Sequence, residues 1–384
     1  PGYAPGLRPG TWQVLLGLYR LPDHPVTVEI EITFDPAPRE EANRPARPKI
    51  ASSGPGWYRG DLHCHTFHSD AKGSPERLHG TALREGLDFL AVTDHNTTTA
   101  HMAYFDRASS PDLIFVPGYE FTTAQGHGNI FGARTVEDFR AETDRDVAAM
   151  IARIQAKGYL FSVNHDKPNI PWNYPFPGAD CMEVWHAPWL SGNHFCLERY
   201  QAKLSDGQRL TAIGGSDLHQ PATDDSGNLA TLARPCTFLY CNDLSVEGIL
   251  DALRNGRSFV TEAPGGPRLL LSVADTIHGG EIRSAPTIPL SYQTSGAAGD
   301  TLEVWDATGC ICTTDLTSNS QSGVLPLTAA KGFVRGQIVA NASRAALVAA
   351  GQAHVAAGKG GRLDWSQAWD KPALRALTSP IYVT

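Results

Sequence analysis

The segment FLAVTDH at residues 89–95 decides the fold, because it is a short apolar run that ends on an acid and a histidine. An apolar run of this length between polar residues predicts a buried β-strand. The same form recurs along the chain, with an apolar run followed by a histidine or a carboxylate. Its other copies lie at residues 61–65, 114–120, 159–165 and 211–219, with further strands predicted at 182–185 and 237–240.

Helical signals separate these strands. Ser74-Pro75-Glu76 predicts a helix start and Gly86 its end. Thr135 with Asp138 predicts the start of a helix that ends at Gly158, and Ser245 the start of another that ends at Asn255-Gly256. Alternating strands and helices predict a mostly parallel sheet, open or closed into a barrel, with its functional residues at the C-terminal ends of the strands.

The flanking segments have a different composition. Val26, Val28 and Ile30 alternate with polar residues, which predicts N-terminal β-strands within residues 1–34. Residues 35–56 are proline-rich at first and predict a linker, so we place the α/β domain at 57–263. Residues 264–384 hold short apolar runs between small polar residues and predict a C-terminal β domain, folded as a β-sandwich, without catalytic residues.

The bulk composition limits the possible partners. The 384 residues carry a formal net charge of −8, which disfavours a general nucleic-acid surface, and they contain no run long enough for a membrane span. The spacing of Cys310 and Cys312 favours strand neighbours over a disulfide or structural zinc. The chain starts at Pro1 rather than methionine, so the sequence leaves cytoplasm and periplasm equally open, and it leaves the oligomeric state open too.

Histidines are concentrated in the α/β region. Eleven of the fourteen lie between residues 63 and 219, many of them at predicted strand ends. Imidazole and carboxylate together are ligands of zinc, manganese and iron. His63 and His65 share one face of a strand, so both can bind one ion while Cys64 turns away. Asp70 is a further candidate, with His68 as its competitor for the same role.

The later strand ends supply the remaining candidates. A carboxylate with two oxygens can bridge two ions, so Glu120 is the natural centre of a multinuclear site. His186 also ends a strand and is a candidate substrate contact. The other candidate ligands are His95, His127, His165, Asp217 and His219.

These motifs resemble the PHP (polymerase and histidinol phosphatase) family of metallohydrolases. The matching segments occur in family order: Asp61–Thr66 with Ser69-Asp70, Thr93-Asp94-His95, Gly118-Tyr119-Glu120, His165, and Ser216–His219. The segments 253–260 and 377–383 are similar to a subfamily that includes hydrolases of carbaryl, an aryl carbamate. The resemblance implies a distorted (β/α)7 barrel of PHP type, flanked by all-β segments.

The resemblance also implies how nine residues would hold two or three divalent ions of zinc, manganese or iron. One ion would take His63, His65, Glu120 and Asp217. A second would take Glu120, His127 and His165. The third would take Asp70, His95 and His219. The transfer of His127 is the least specific, because residues 121–126 carry no distinctive motif. Without His127 the second ion loses a ligand, and the resemblance then implies a binuclear site.

The expected chemistry is hydrolysis. The chain has neither a G-x-S-x-G elbow nor a Walker A loop, so a metal-bound hydroxide is the simplest nucleophile. Glu120 would bridge the ions, and Asp217 or His219 would move the proton.

Three substrate hypotheses follow. In a small-molecule phosphoesterase, Lys167 and Arg234 would bind phosphate oxygens. In a carbamate, ester or amide hydrolase, the aromatic residues between 172 and 189 would line an apolar pocket. The third hypothesis is a non-catalytic metal-stabilised binding module.

Overall fold

A computed structural model describes residues 11, 23–31, 54–105, 113–141, 143–219, 231–358 and 365–384. Five helices lie among the described residues up to 263: α1 Pro75–Arg84, α2 His101–Phe105, α3 Asp144–Ala156, α4 Asn193–Ser205 and α5 Val246–Arg254. The strands of this part are β1 Gly56–Asp61, β2 Phe89–Ala91, β3 Ile114–Val116, β4 Gly118–Thr123, β5 Gly126–Phe131, β6 Leu160–Val163, β7 Cys181–His186, β8 Thr211–Gly215, β9 Cys236–Cys241 and β10 Ser258–Thr261.

Beyond residue 263 the chain is mainly β-structure with one longer helix. Its elements are β11 Arg268–Val273, β12 Thr276–Ile277, β13 Glu281–Ile282, β14 Thr287–Ser295, β15 Thr301–Asp306, β16 Gly309–Asp315, β17 Ser320–Thr328, β18 Phe333–Val339, α6 Arg344–Ala356, a short 3₁₀ turn Ser366–Ala368, β19 Leu374–Thr378 and β20 Ile381–Val383. Cys310 and Cys312 are free thiols in β16, so they are strand residues as predicted.

Two of the predicted helix starts are confirmed. The Ser74 hydroxyl accepts a hydrogen bond from the backbone N–H of Arg77, and Ser245 accepts one from Gly248. The third was wrong, because α3 begins after Thr143 rather than Thr135. Thr143 and Asp146 form a reciprocal capping box, which satisfies two backbone N–H groups at the helix start. The Asp138 carboxylate instead pairs with Arg140.

The strands of the α/β part lie in two sheets. One has the order β4-β5-β6-β7-β8, with antiparallel pairing from β4 to β6 and parallel pairing from β6 to β8. The other contains β1, β2 and β3 in parallel, with β9 antiparallel to β1. Isolated bridges Cys64–Leu218 and His95–Glu120 join the two sheets where their strands end. The histidine-bearing strand ends are therefore brought together.

The mixed α/β class is confirmed, but a (β/α)7 barrel is not shown. The described residues up to 263 form five helices rather than seven, and several neighbouring strands are antiparallel. The β4–β5 hairpin replaces one crossover helix, because its two strands are joined directly.

The C-terminal strands do not form a separate sandwich. β18, β19 and β20 belong to the same 11-stranded sheet as β1, through the pairing of β10 with β19. β11, β12, β14 and β17 form a second, four-stranded sheet. The alanine-rich segment 344–356 forms helix α6, which the sequence analysis did not predict, and alanine has the highest helix propensity. The boundary at 263/264 stays a prediction.

The predicted N-terminal strands are wrong where they can be checked. Residues 25–31 contain no strand, and the side chains of Val26, Val28 and Ile30 are 60%, 55% and 49% exposed. Alternation predicts a strand only where a partner buries one face. The rest of 1–34, apart from residues 11, 23 and 24, and the proline-rich segment 35–50 lie outside the described residues. Within the described part of the chain, no helix has both the length and the apolarity needed to cross a bilayer.

Candidate metal centre

The ends of β1, β2, β4, β6 and β8 place histidines and carboxylates around one buried space. Five groups of three or four side chains have ligand atoms within 4.8 Å of one another. The groups are His65, Asp70, His95 and His219; His63, His65 and Asp217; His63, Glu120 and His165; His95, Glu120 and His127; and His165, His186 and Asp217. All nine ligands expected from the sequence, together with His186, are in this cluster.

Glu120 lies at the middle of the cluster and is fully buried. Its Oε1 is 3.3 Å from Nε2 of both His63 and His165, and 3.4 Å from Nδ1 of His127. Its Oε2 is 2.8 Å from Nδ1 of His95. One carboxylate therefore touches several imidazoles at once, which is the geometry expected of a bridging ligand.

The grouping differs in part from the assignment that the resemblance implied. Asp70, His95 and His219 fall together as expected, and His65 joins them. His63, His65 and Asp217 also fall together. The residues assigned to the second ion are divided, because Glu120 groups with His127 on one side and with His165 on the other. His68 belongs to none of these groups; its Nδ1 is 2.8 Å from the hydroxyl of Thr99.

Buried carboxylates fix the loops that carry the ligands. Asp61 accepts hydrogen bonds from the backbone N–H groups of His63, Ser216 and Ala233. Asp94 accepts bonds from Thr66 and from the hydroxyl of Ser69, which orders the loop leading to Asp70. The acids in the matching motifs outside the ligand set thus shape the backbone around it.

The backbone approaches closely and is strained at this site. A β-carbon on Gly215 would lie 2.3 Å from Cβ of His63, so only glycine allows β8 to pass so near. His165 and Asp217 have left-handed φ angles of 27° and 49°. Non-glycine residues in this region are uncommon, and such strain concentrates at functional sites.

Glu183 is a functional residue that the sequence analysis missed. This buried carboxylate in β7 accepts a 2.8 Å hydrogen bond from Nδ1 of His63 and a 3.0 Å bond from the backbone N–H of His165. The bond to Nδ1 turns Nε2 of His63 toward the cluster, as acidic partners of metal-binding histidines do. An acid in the middle of a fully buried strand was the available signal.

The charges of the cluster are strongly coupled. Burial and, to a smaller extent, the charge of His95 lower the pKa of His65 to about 3. Burial also opposes protonation of His219, but the carboxylates of Asp217 and Asp70 raise its pKa to about 9. Burial disfavours a charged Glu120, yet His63 and His127 hold its pKa well below the ordinary value. The carboxylates are therefore ionised and attract cations.

The donor set fits divalent metal ions. Several buried cluster atoms have other ligand atoms close by but form no hydrogen bond of suitable geometry in the described part of the chain: His63 Nε2, His65 Nδ1 and Nε2, Glu120 Oε2, His186 Nδ1 and Asp217 Oδ1. Leaving buried polar atoms unsatisfied costs free energy, so such atoms are rare without a partner. Imidazole nitrogens and carboxylate oxygens in this arrangement are suitable ligands for zinc, manganese or iron.

The three predicted substrate contacts are placed differently. His186 lies inside the cluster, with Nε2 2.9 Å from Asp217 Oδ2. Lys167 is fully buried, and its ammonium donates to the carbonyl and hydroxyl of Ser191. It is therefore not the free phosphate-binding cation that the sequence predicted. Arg234 lines a separate cavity with Trp185 and Trp189.

The aromatic residues between 172 and 189 are divided in the same way. Trp172 packs at 5.1 Å from Tyr174, whose hydroxyl bonds with Thr123. Trp185 and Trp189 pack on each other at a ring distance of 4.9 Å, in the cavity that contains Arg234. These residues do not form a single pocket beside the cluster.

Comparison with known proteins finds relatives of part of this chain. Over 114 residues the chain is 34% identical to the 5′-3′ exoribonuclease Rnm of Salmonella typhimurium, a match that covers 29% of this chain and 39% of that protein. The chain thus spans about two fifths of that relative's length.

Two solved structures are also similar. A two-domain protein of Bacteroides vulgatus, containing a predicted PHP-like metal-dependent phosphoesterase, matches with 17% identity and a TM-score of 0.45 over 77% of this chain and 94% of its own. An amidohydrolase of Chromobacterium violaceum matches with 14% identity and a TM-score of 0.31 over 43% and 88%. The family model of the PHP domain matches residues 61–173, and the chain therefore contains a PHP domain.

Proposed function

We propose that this protein is a metal-dependent hydrolase that cleaves small-molecule phosphoesters at the cluster around Glu120. The observation that supports it most is the convergence of buried, unsatisfied imidazole and carboxylate atoms from five strand ends. Two or three ions of zinc, manganese or iron would be held by His63, His65, Asp70, His95, Glu120, His127, His165, Asp217 and His219. When bound, such ions supply hydroxide at neutral pH and stabilise charge on the reacting oxygens.

The protein groups have distinct parts in this scheme. Glu120 lies beside the residues that would bind more than one ion, and its carboxylate would balance part of the charge of those ions. Asp217 and His219 are partly exposed, at 20% and 27%, and His219 Nδ1 lies 2.9 Å from the Asp217 carbonyl. They are therefore the residues best placed to hold and release a proton at the solvent side. Glu183 keeps His63 oriented.

Charge favours a phosphoester over a neutral carbamate. Three carboxylates, Asp70, Glu120 and Asp217, would balance only part of the charge of two or three divalent ions, and the remaining positive charge would favour a phosphate dianion. The carbamate, ester or amide alternative rests on the similarity of segments 253–260 and 377–383 to the carbaryl-hydrolase subfamily. The 5′ end of a nucleic acid is a second candidate substrate. The 34% sequence identity to an exoribonuclease over 114 residues supports it, but the net charge of −8 disfavours it.

The deciding experiment is a substrate panel on protein reconstituted separately with manganese, zinc and iron. The panel contains aryl and alkyl phosphates, a mononucleotide, a 5′-phosphorylated RNA oligomer, an aryl carbamate, an ester and an amide. We expect turnover of small phosphoesters, competitive inhibition by free phosphate, and loss of both in Glu120→Gln. Turnover of carbamates or esters with none of any phosphoester contradicts the proposal, and no turnover with any metal supports a binding module instead.

A further inference from the structure

A second cavity, distinct from the metal cluster, lies between the loop after β7, helix α6 and strand β19. Its volume is about 490 Å³, which is within the range of small-molecule binding sites. Its walls include three tryptophans and two leucines, together with one arginine: Trp185, Trp189, Trp365, Leu347, Leu374 and Arg234. A mostly aromatic and aliphatic lining with few polar groups is typical of sites that bind organic ligands.

This cavity is separate from the metal cluster, and the two spaces lie on opposite sides of β7. His186 at the end of β7 directs its Nε2 to Asp217, in the cluster. The preceding residue, Trp185, instead packs in the hydrophobic core with Val260 and Leu374. Because neighbouring strand residues project to opposite faces, β7 separates the two spaces. A molecule bound in the cavity would therefore not be the molecule at the metal ions.

The aromatic walls are fixed in place. Trp185, Trp189 and Trp365 are 2%, 7% and 4% exposed. Trp189 donates from its indole nitrogen to the carbonyl of Pro372, 3.0 Å away. The side-chain amide of Asn193 donates to the carbonyls of His186, Pro188 and Trp189, so the loop that carries Trp189 is tied down. A cavity with such walls needs little ordering on binding.

The charge of the lining selects an anion. Glu262 also lines the cavity, but its carboxylate forms a 2.7 Å ion pair with Arg375, so its charge is balanced. The guanidinium of Arg234 has no acidic partner among the residues that the structure describes. A guanidinium beside an apolar cavity pairs well with a carboxylate or phosphate on a bound ligand.

We propose that this cavity binds a small planar aromatic molecule that carries a negatively charged group. The ring fills the apolar part of the cavity, and the charged group pairs with Arg234. This site is independent of the hydrolytic function, because it needs neither the metal ions nor the residues that hold them.

The test uses the full-length, metal-loaded protein and a matched pair of probes, indole-2-carboxylate and its neutral analogue indole-2-methanol. Binding is measured by isothermal titration calorimetry and by saturation-transfer NMR. We expect saturable binding of the carboxylate at concentrations up to about 1 mM, given the affinity typical of small fragments. Arg234→Gln weakens binding of the carboxylate by about tenfold and that of the alcohol by less than about twofold, and Arg234→Lys restores part of the difference.

A second pair of variants identifies the cavity itself. Ala350 is exposed on α6 and lines the cavity, whereas the adjacent exposed Ala349 does not line it. Ala350→Trp abolishes binding of both probes and Ala349→Trp leaves it unchanged, while metal content stays at the wild-type value in both. Equal binding in Ala350→Trp and wild type overturns the proposal. So does an absence of saturable binding, or equal affinity of both probes.

Discussion

The buried histidines of the metal cluster and the buried His278 differ in what their nitrogens contact. The cluster lies in residues 54–263, which contain the PHP domain and are called the PHP half, and His278 lies in residues 264–384, called the C-terminal half. In the C-terminal half, His278 is fully buried, and both ring nitrogens have backbone partners: Nε2 accepts from Leu271 and Nδ1 donates to Ser258. In the PHP half, His63 and His65 are equally buried, but ring nitrogens remain unsatisfied and face carboxylates. Burial alone therefore does not indicate a ligand. Burial combined with an unsatisfied nitrogen that faces buried carboxylates does.

The same contrast is visible in the titration of these groups. Burial lowers the pKa of His278 to about 4, because no acid is near enough to stabilise its charged form. Burial acts on His63 in the same direction, but Glu183, Glu120 and Asp217 raise its pKa well above the ordinary value. A structural histidine is kept neutral by its surroundings, whereas the cluster histidines lie among negative charges that cations would balance.

The largest effect should come from Glu120. We expect Glu120→Gln to lower kcat/KM by at least about 100-fold, because one carboxylate serves several ligand groups while typical supporting residues cost only 10–100-fold. Steady-state kinetics on His95→Ala, His165→Ala and Glu120→Gln rank the three losses. His278→Gln, from the other half, is the control for a buried site without metal. A nearly normal Glu120→Gln enzyme would remove the bridging role.

Metal content gives the next test of the contrast. We expect elemental analysis to find two to three equivalents of transition metal in the wild-type protein and an unchanged value in His278→Gln. One equivalent or less in a fully loaded sample would refute a multinuclear site.

Glu183 should have a smaller effect that is specific to metal binding. Glu183→Gln is expected to weaken the metal bound near His63 by 10–100-fold, because Nδ1 of His63 loses its charged acceptor. Metal titration followed by elemental analysis should show one equivalent lost first, with kcat recovering at high metal concentration. If kcat stays low at saturating metal, Glu183 does more than position His63.

The smallest effect concerns stability and comes from His278. Its folded pKa of about 4 is below the unfolded value near 6.5, so the unfolded state binds more protons between these values. The stability that this neutral residue contributes is complete above about pH 6.5 and is lost as the pH falls toward 4. From pH 7 to pH 5 the loss is about 2 kcal/mol. Urea unfolding of wild type and His278→Gln at both pH values should show the variant losing less, and parallel losses would contradict the assignment.

Much of the fold could be predicted because its signals are local. Short apolar runs ending on His95, His165 or Asp217 marked the strands of the PHP half, and Ser74 and Ser245 marked helix starts. The start of α3 could not be assigned in this way, because Thr135 and Thr143 both offer a capping hydroxyl and only tertiary packing selects between them. Strand pairing across residue 263 depends on contacts distant in sequence, which periodicity does not report.

The site shows the same division. Nine candidate ligands could be identified because histidines at strand ends have no role in strand propensity. Glu183 was missed because a strand that is buried on both faces gives no alternation to show which way an acid points. Lys167 was misplaced because a cation two residues from a ligand can face either solvent or core, and Ser191 provides its buried partner only in the folded chain.

Strand β10 has a consequence for how the protein exchanges its amide hydrogens. It lies between β9 of the PHP half and β19 of the C-terminal half, with hydrogen-bonded register on both edges. Its amides at Phe259 to Thr261 point alternately to β9 and to β19, so their protection reports the separation of β10 from each of these two neighbours. A fragment cut after residue 263 would leave one edge of β10 unpaired, and such an edge invites pairing with other chains. We therefore expect the slowest-exchanging amide hydrogens of the PHP half and of the C-terminal half to exchange with solvent at the same rate.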